Sequence, residues 1–144
     1  ISSWFSRIWF TIFVKVSAFT LTRVNKNKDV NNKIFLKIDI ESSEYSILNE
    51  IIQNQEKIVG LVIEFHNIQR NMDILTDFIN KFKLEITHIH PNNYSQLDKD
   101  GNPEIIEMSF EKNPQILGDE KIFPNALDMK NWKRGPDIEI NFYE

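Results

Sequence analysis

Apolar and polar positions divide the middle of this chain into two dense apolar runs, each ending in polar groups and each followed by a helical repeat. Ile34, Leu36, Ile38 and Ile40 make the first run, of the kind a strand buried on both faces uses. It breaks into Asp39, Glu41, Ser42, Ser43 and Glu44, so carboxylates arrive where a strand ends. Ser42 or Ser43 is placed to cap a helix, with Glu44 in the favourable first turn and Tyr45, Leu48, Ile51 and Ile52 at helical spacing. After the polar segment from Gln53 to Lys57, Ile58 to Phe65 forms a second central strand, ending in Glu64, His66 and Asn67. Asn71 is then expected to cap a helix in which Met72, Leu75, Phe78, Ile79 and Phe82 repeat at three and four. Parallel neighbours joined by right-handed crossovers are the expected connection.

The segment from Leu84 to His90 alternates, which puts Leu84, Ile86, His88 and His90 on one face and Glu85, Thr87 and Ile89 on the other. Pro91 ends the pairing, an Asp-Gly turn signal lies between Asp98 and Asn102, and Glu104 to Phe110 reads as a strand antiparallel to the one before. Asp98-Lys99-Asp100-Gly101 lacks the glycine position and downstream ligands of a calcium loop. Glu111 to Pro136 is loop-like, and Ile138 to Phe142 is a short last strand. Upstream, Trp4 to Leu21 is aromatic and β-branched but interrupted by Arg7 and Lys15. Spanning a bilayer takes about 20 mostly apolar residues, so a strand or other core element is the better reading, with a leader ending near Val16-Ser17-Ala18 as the rival. The Asn- and Lys-rich stretch from Asn25 to Lys33 is a surface loop.

Composition narrows the classes. A chain of 144 residues is long enough for one domain with a core, and its 17 basic and 21 acidic residues give a net charge of −4 without the basic stripe that nucleic-acid binding needs. There is no cysteine, which excludes disulfides, thiolate metal sites and cysteine nucleophiles and is compatible with a cytoplasmic location.

Ligands of open α/β sheets bind at the carboxyl ends of strands, which makes Asp39, Glu41, Glu64 and His66 candidate site residues rather than ordinary surface charge. Each has a structural alternative. Asp39 and Glu41 can serve structural hydrogen bonds, and His66 can be a packed histidine. Glu44 reads as a helix-terminal charge before it reads as a ligand, and His88 as a packed histidine with a satisfied ring nitrogen. Asn92 and Asn93 follow a proline and suit a turn, while Tyr45, Phe65 and Trp132 are most simply packing aromatics.

The segment KIDIESSEY (Lys37 to Tyr45) resembles the Lys-x-Asp-(Val/Ile)-Glu-Gly-x-Glu-(Tyr/Trp) block of FkbM-type S-adenosylmethionine-dependent methyltransferases, with Ser42 where that family usually has glycine. GLVIEFH (Gly60 to His66), HIHPNNY (His88 to Tyr94), PEIIEMSF (Pro103 to Phe110) and PNALDMKNWKRGPDIEINF (Pro124 to Phe142) resemble the family's later blocks in the family's order. The resemblance covers roughly residues 20 to 142. It implies a Rossmann-like methyltransferase sheet, incomplete here, with parallel strands, flanking helices and an antiparallel hairpin near the C-terminus. It also implies S-adenosylmethionine as cofactor and O-methylation of a hydroxyl on a sugar, a glycan or another small molecule. Asp39 would then lie beside the methyl donor. Asp39, Glu41 and His66 would carry the chemistry, and Glu64, His90, Asn92 and Asn93 would bind the acceptor.

The chain departs from that pattern at its start. The only glycines, Gly60, Gly101, Gly118 and Gly135, lie downstream of the acidic block and are not spaced as a donor-cradling turn. The reading is therefore one partial domain: an atypical segment over 1–33, a β-α-β-α-β-β core over 34–110 and a loop-rich tail over 111–144, with the parent fold's first strands upstream. Ser42 is strained if its position needs a positive φ. Two rival functions use the same residues. One is a divalent-metal hydrolase or phosphoryl-transfer site built on Asp39, Glu41, Glu64 and His66. The other is a non-catalytic remnant that binds a carbohydrate or a protein.

Overall fold

A computed structural model describes residues 10–14, 33–115, 124 and 128–140. They form a mixed α/β arrangement on an open five-stranded sheet, in the order β1-β2-β3-β5-β4. Strand β1 (Phe10–Val14) pairs parallel with β2 (Ile34–Ile38), and β2 pairs parallel with β3 (Ile58–His66). Strand β5 (Ile105–Glu111) is antiparallel to both its neighbours, β3 and β4 (Glu85–Pro91). The apolar segment near the start thus supplies an edge strand; the rest of the stretch from Trp4 to Leu21, and the loop from Asn25 to Asn32, lie outside the described residues.

One face of the sheet carries the core. Leu36 and Ile38 on β2, Leu61, Ile63 and Phe65 on β3, and Met108 and Phe110 on β5 are all buried there. Helix α1 (Leu48–Asn54) adds Leu48 and Ile51, and α2 (Ile68–Lys81) adds Ile68, Leu75 and Phe78. The rings of Phe78 and Phe82 meet Phe110 edge-on at centroid distances of 5.9 and 5.4 Å, a favoured aromatic geometry. Burial of β2 alternates instead of being complete: Phe35 and Lys37 on the second face are only half-buried. The continuous apolar run therefore overstates the burial of that face. Gly60 lies beneath Phe35, whose ring occupies the space 2.5 Å from where a β-carbon would stand.

Both helix starts differ from expectation. Neither Ser42 nor Ser43 caps with its side chain. The chain first makes a 3₁₀ turn (Glu44–Ile47), the Ser43 carbonyl accepts from Ser46, and α-helix begins at Leu48. At α2 the N-cap is Asn67, in the left-handed region at φ 52°, which asparagine tolerates better than most residues. Asn71 lies inside the helix at a kink (φ −115°, ψ 15°), and its amide donates back to the Asn67 carbonyl. An asparagine side chain that competes for backbone groups is a physical reason for that kink.

The strict alternation over Leu84 to His90 also fails. The register shifts between Ile86 and His88, so Ile86 pairs with Phe110 and Ile89 with Met108, while His88 pairs with Ser109 and His90 with Glu107. Partners in register share a face, so the extra residue moves Ile86 to the helix side and leaves both histidines on the second face. The Asp-Gly turn forms as expected, with Gly101 at φ 84° and the Asp98 carboxylate accepting from the backbone of Asp100 and Asn102. Those amides, Asn102 foremost, hold the Asp98 carboxyl below its usual range. Of the last expected strand, Ile140 forms a single bridge and residues 141–142 lie outside the described residues.

Candidate active site

The carboxyl ends of β2 and β3 lie side by side because the strands are parallel, with Ile38 opposite Ile63. Asp39 leaves β2 at the level of Glu64, and His66 ends β3 two residues further on. Asp39 and His66, expected to come close together at one sheet edge, thus leave adjacent parallel strands at the same edge. Glu41 turns back towards the second strand, with its Oε2 3.5 Å from His66 Nε2, and Glu64 Oε1 is 3.8 Å from the same nitrogen. Asp39 makes no hydrogen bond or ion pair among the described residues.

The centre of the site is a group the sequence reading assigned elsewhere. Glu44 is fully buried, and its Oε1 accepts from the His66 backbone N–H at 2.6 Å and lies 3.2 Å from His66 Nδ1. A carboxylate oxygen already accepting from an amide favours the imidazole tautomer that carries its proton on Nδ1, which leaves Nε2 as the basic nitrogen. The Tyr45 hydroxyl donates to the His66 carbonyl at 2.8 Å, so successive residues grip His66 from both sides. Removing a carboxylate from water is costly unless it is paired, and Glu44 meets that cost through one oxygen while Oε2 has no hydrogen-bond partner.

Backbone strain collects at the same place. Glu41 (φ 51°), Ser42 (φ 75°) and Asn67 (φ 52°) are three of the four described non-glycine residues with positive φ. Asn67 Nδ2 donates to Ser42 Oγ at 2.9 Å, tying the loop after β2 to the loop after β3. Each such residue costs on the order of 1 kcal/mol, strain that clusters at functional sites. Ser42 is thus strained as its departure from glycine implied.

Burial, and secondarily the Glu44 charge, push the Tyr45 hydroxyl up to about 12, while Asn71 works in the opposite direction. A folded-state value above the ordinary 10 means that the stabilisation is whole below pH 10 and is lost as pH rises through about 12. A spectrophotometric titration is expected to show one tyrosine ionising near pH 12, absent from the Tyr45→Phe variant.

A polar cavity of about 290 Å³ opens on the second face, lined among others by Glu64, His88, His90, Asn92, Glu107 and Asp128. Three of the four expected acceptor-binding residues line it. Asn92 donates to Glu64 Oε1 at 3.0 Å and also accepts from the Tyr94 N–H, so it serves turn and cavity together. His90 is buried, and its Nε2 has no hydrogen-bond partner. His88 is held by Asp128 at 2.8 Å. Asn93 is engaged elsewhere: its Nδ2 donates to the carbonyls of Trp132 and Pro136 and its Oδ1 accepts from the Trp132 N–H, so both its donors are spent fastening the tail. Trp132 itself packs on Gly135, as a loop aromatic does.

Glu44, Tyr45, Lys37, Glu107, Asp128 and Asp137 were missed as site residues. Only the Lys37–Glu107 pair, 2.8 Å apart across β3, had a trace in the alternation of its strands. Among the described residues no group of three or more His, Asp or Glu is arranged to hold a metal ion, including the Asp39, Glu41, Glu64 and His66 set. No described helix is long and apolar enough to cross a membrane. Comparison with known protein families, with curated proteins and with solved structures finds no match to this chain.

Proposed function

We propose that this chain carries the acceptor side of an S-adenosylmethionine-dependent O-methyltransferase, with His66 as the general base. The observation that carries the reading is the His66 imidazole, fixed through Nδ1 by a fully buried Glu44 at the carboxyl edge of two parallel strands. A base oriented by a buried carboxylate suits removal of a hydroxyl proton, and imidazole is the side chain most often used for that task. Further support comes from the strand order, in which three parallel strands are followed by β5 antiparallel to its neighbours, the order the Rossmann-like methyltransferase reading requires for these segments.

The described residues fit the methyl donor in part. Asp39, at the edge and without an internal partner among them, can accept hydrogen bonds from hydroxyl or amino groups. Gly60 is covered by Phe35, Gly101 shapes its turn and Gly135 faces Trp132, so no glycine turn for the donor lies among the described residues. When bound, the donor would supply an electrophilic methyl carbon, its sulfur leaving as a neutral thioether with the electron pair of the broken sulfur–carbon bond. His66 Nε2 takes the acceptor's hydroxyl proton as its oxygen attacks, and Glu44 keeps the ring aimed while the imidazole is cationic. Glu41 and Glu64, both near Nε2, stabilise that cation.

Calorimetric titration of S-adenosylmethionine into this chain, and into any longer protein that contains it, tests the assignment. Saturable binding by either supports it. Absence of binding by both removes it.

A further inference from the structure

We propose that the polar cavity on the second sheet face selects a small acceptor that bears a protonated amine. The inference deepens the function above and rests on it for two points, that the occupant of the cavity is the acceptor and that His66 Nε2, beside Glu64, is unprotonated when the acceptor binds.

The cavity's chemistry is one-sided. Its lining includes three carboxylates, Glu64, Glu107 and Asp128, together with the imidazoles of His88 and His90. Two of the carboxylates have basic partners inside the protein: Lys37 reaches Glu107 at 2.8 Å and His88 reaches Asp128 at 2.8 Å. Glu64 does not. Its side chain is only 16% exposed, its hydrogen-bond partner is the neutral amide of Asn92 at 3.0 Å, and His66 Nε2 at 3.8 Å is the nitrogen the mechanism requires unprotonated. Among the described residues no lysine or arginine pairs with this carboxylate, and a ligand ammonium at Glu64 would supply the permanent cation.

A second, independent observation points to an occupant. His90 is 7% exposed, lines the cavity and has an Nε2 atom without a hydrogen-bond partner; Asp137 Oδ1, at 3.6 Å, is beyond hydrogen-bond reach. A polar atom buried in this way is normally satisfied by water or ligand. Glu64 lines the cavity and its Oε1 lies 3.8 Å from His66 Nε2, so an acceptor anchored there by its amine is held on the side of the base. The volume of about 290 Å³ suits one ring, and the excess of carboxylates opposes phosphate- or carboxylate-bearing compounds.

Three probes on the same six-membered ring and of different charge test the inference on the unaltered chain without methyl donor: trans-aminocyclohexanol, cyclohexanediol and hydroxycyclohexanecarboxylate. The amine is protonated at neutral pH. Calorimetry is expected to rank the ammonium ring about tenfold or more above the diol and the carboxylate last, and NMR shifts on binding should centre on His90, Asn92 and Glu64. Glu64→Gln, which keeps an acceptor for Asn92, should reduce the ammonium's advantage over the diol to about twofold or less. Equal binding of diol and ammonium, preference for the carboxylate, shifts centred elsewhere, or no binding by any ring would each overturn the proposal. Methyl transfer is not the readout, so a chain that prefers the ammonium but never methylates keeps the cavity assignment and loses only the catalytic one.

Discussion

Under the proposed function, replacing His66 by asparagine is expected to lower methyl transfer by about 10²- to 10⁴-fold, the usual contribution of a positioned general base. Asparagine is the informative choice because its amide can place an N–H where Nδ1 stands and still donate to Glu44, but it cannot accept the acceptor's proton. The fold should survive, since the backbone N–H of residue 66 continues to donate to Glu44. The loss should then fall on kcat with little change in KM, because the proposed base would act in the transition state while the cavity would hold the acceptor. An activity loss below about fivefold would place the base elsewhere.

Glu44→Ala should have the largest effect on stability. The carboxylate is wholly buried and serves both the backbone N–H and the ring of His66, so its removal strands two buried donors and opens a void beneath them. A loss of about 3 kcal/mol follows, which shifts a urea midpoint by roughly 1–2 M. Glu44→Gln keeps the shape and one acceptor oxygen, so most of the stability should return. The ring would lose its ionic anchor, and activity should stay low. That separation of stability from activity marks a positioning residue. If Glu44→Ala unfolds at the same urea concentration as the unaltered chain, the buried contact with His66 does not hold the loop as described.

Much of this arrangement was legible from residue pattern. The runs Ile34–Ile38 and Ile58–His66 and the repeat through Leu75, Phe78 and Phe82 have the periods of the elements they form. Because parallel strands point their carboxyl ends the same way, the placement of Asp39 and His66 at one edge followed from the order of elements alone. What escaped is governed by contacts between remote segments. An acid in a first turn reads as solvated, and nothing local reveals that the Glu44–Ile47 turn tucks beneath the end of β3. A single inserted residue, at Thr87, reverses the face of everything beyond it without a change in composition. Asn93 finds backbone partners 39 and 43 residues away, and a side chain bonded to distant backbone has no periodic signature. Ser42 is the intermediate case: its strain was conditional on a backbone angle, and the angle is there.

The account turns on the protonation state of one ring, because a base needs its outward nitrogen free. Long-range ¹H–¹⁵N correlation of His66 above pH 8 reads that state directly, and the pattern expected is a neutral imidazole with its proton on Nδ1, facing Glu44, and Nε2 unprotonated. A neutral ring with its proton on Nε2 would contradict it, because no lone pair would then face the acceptor.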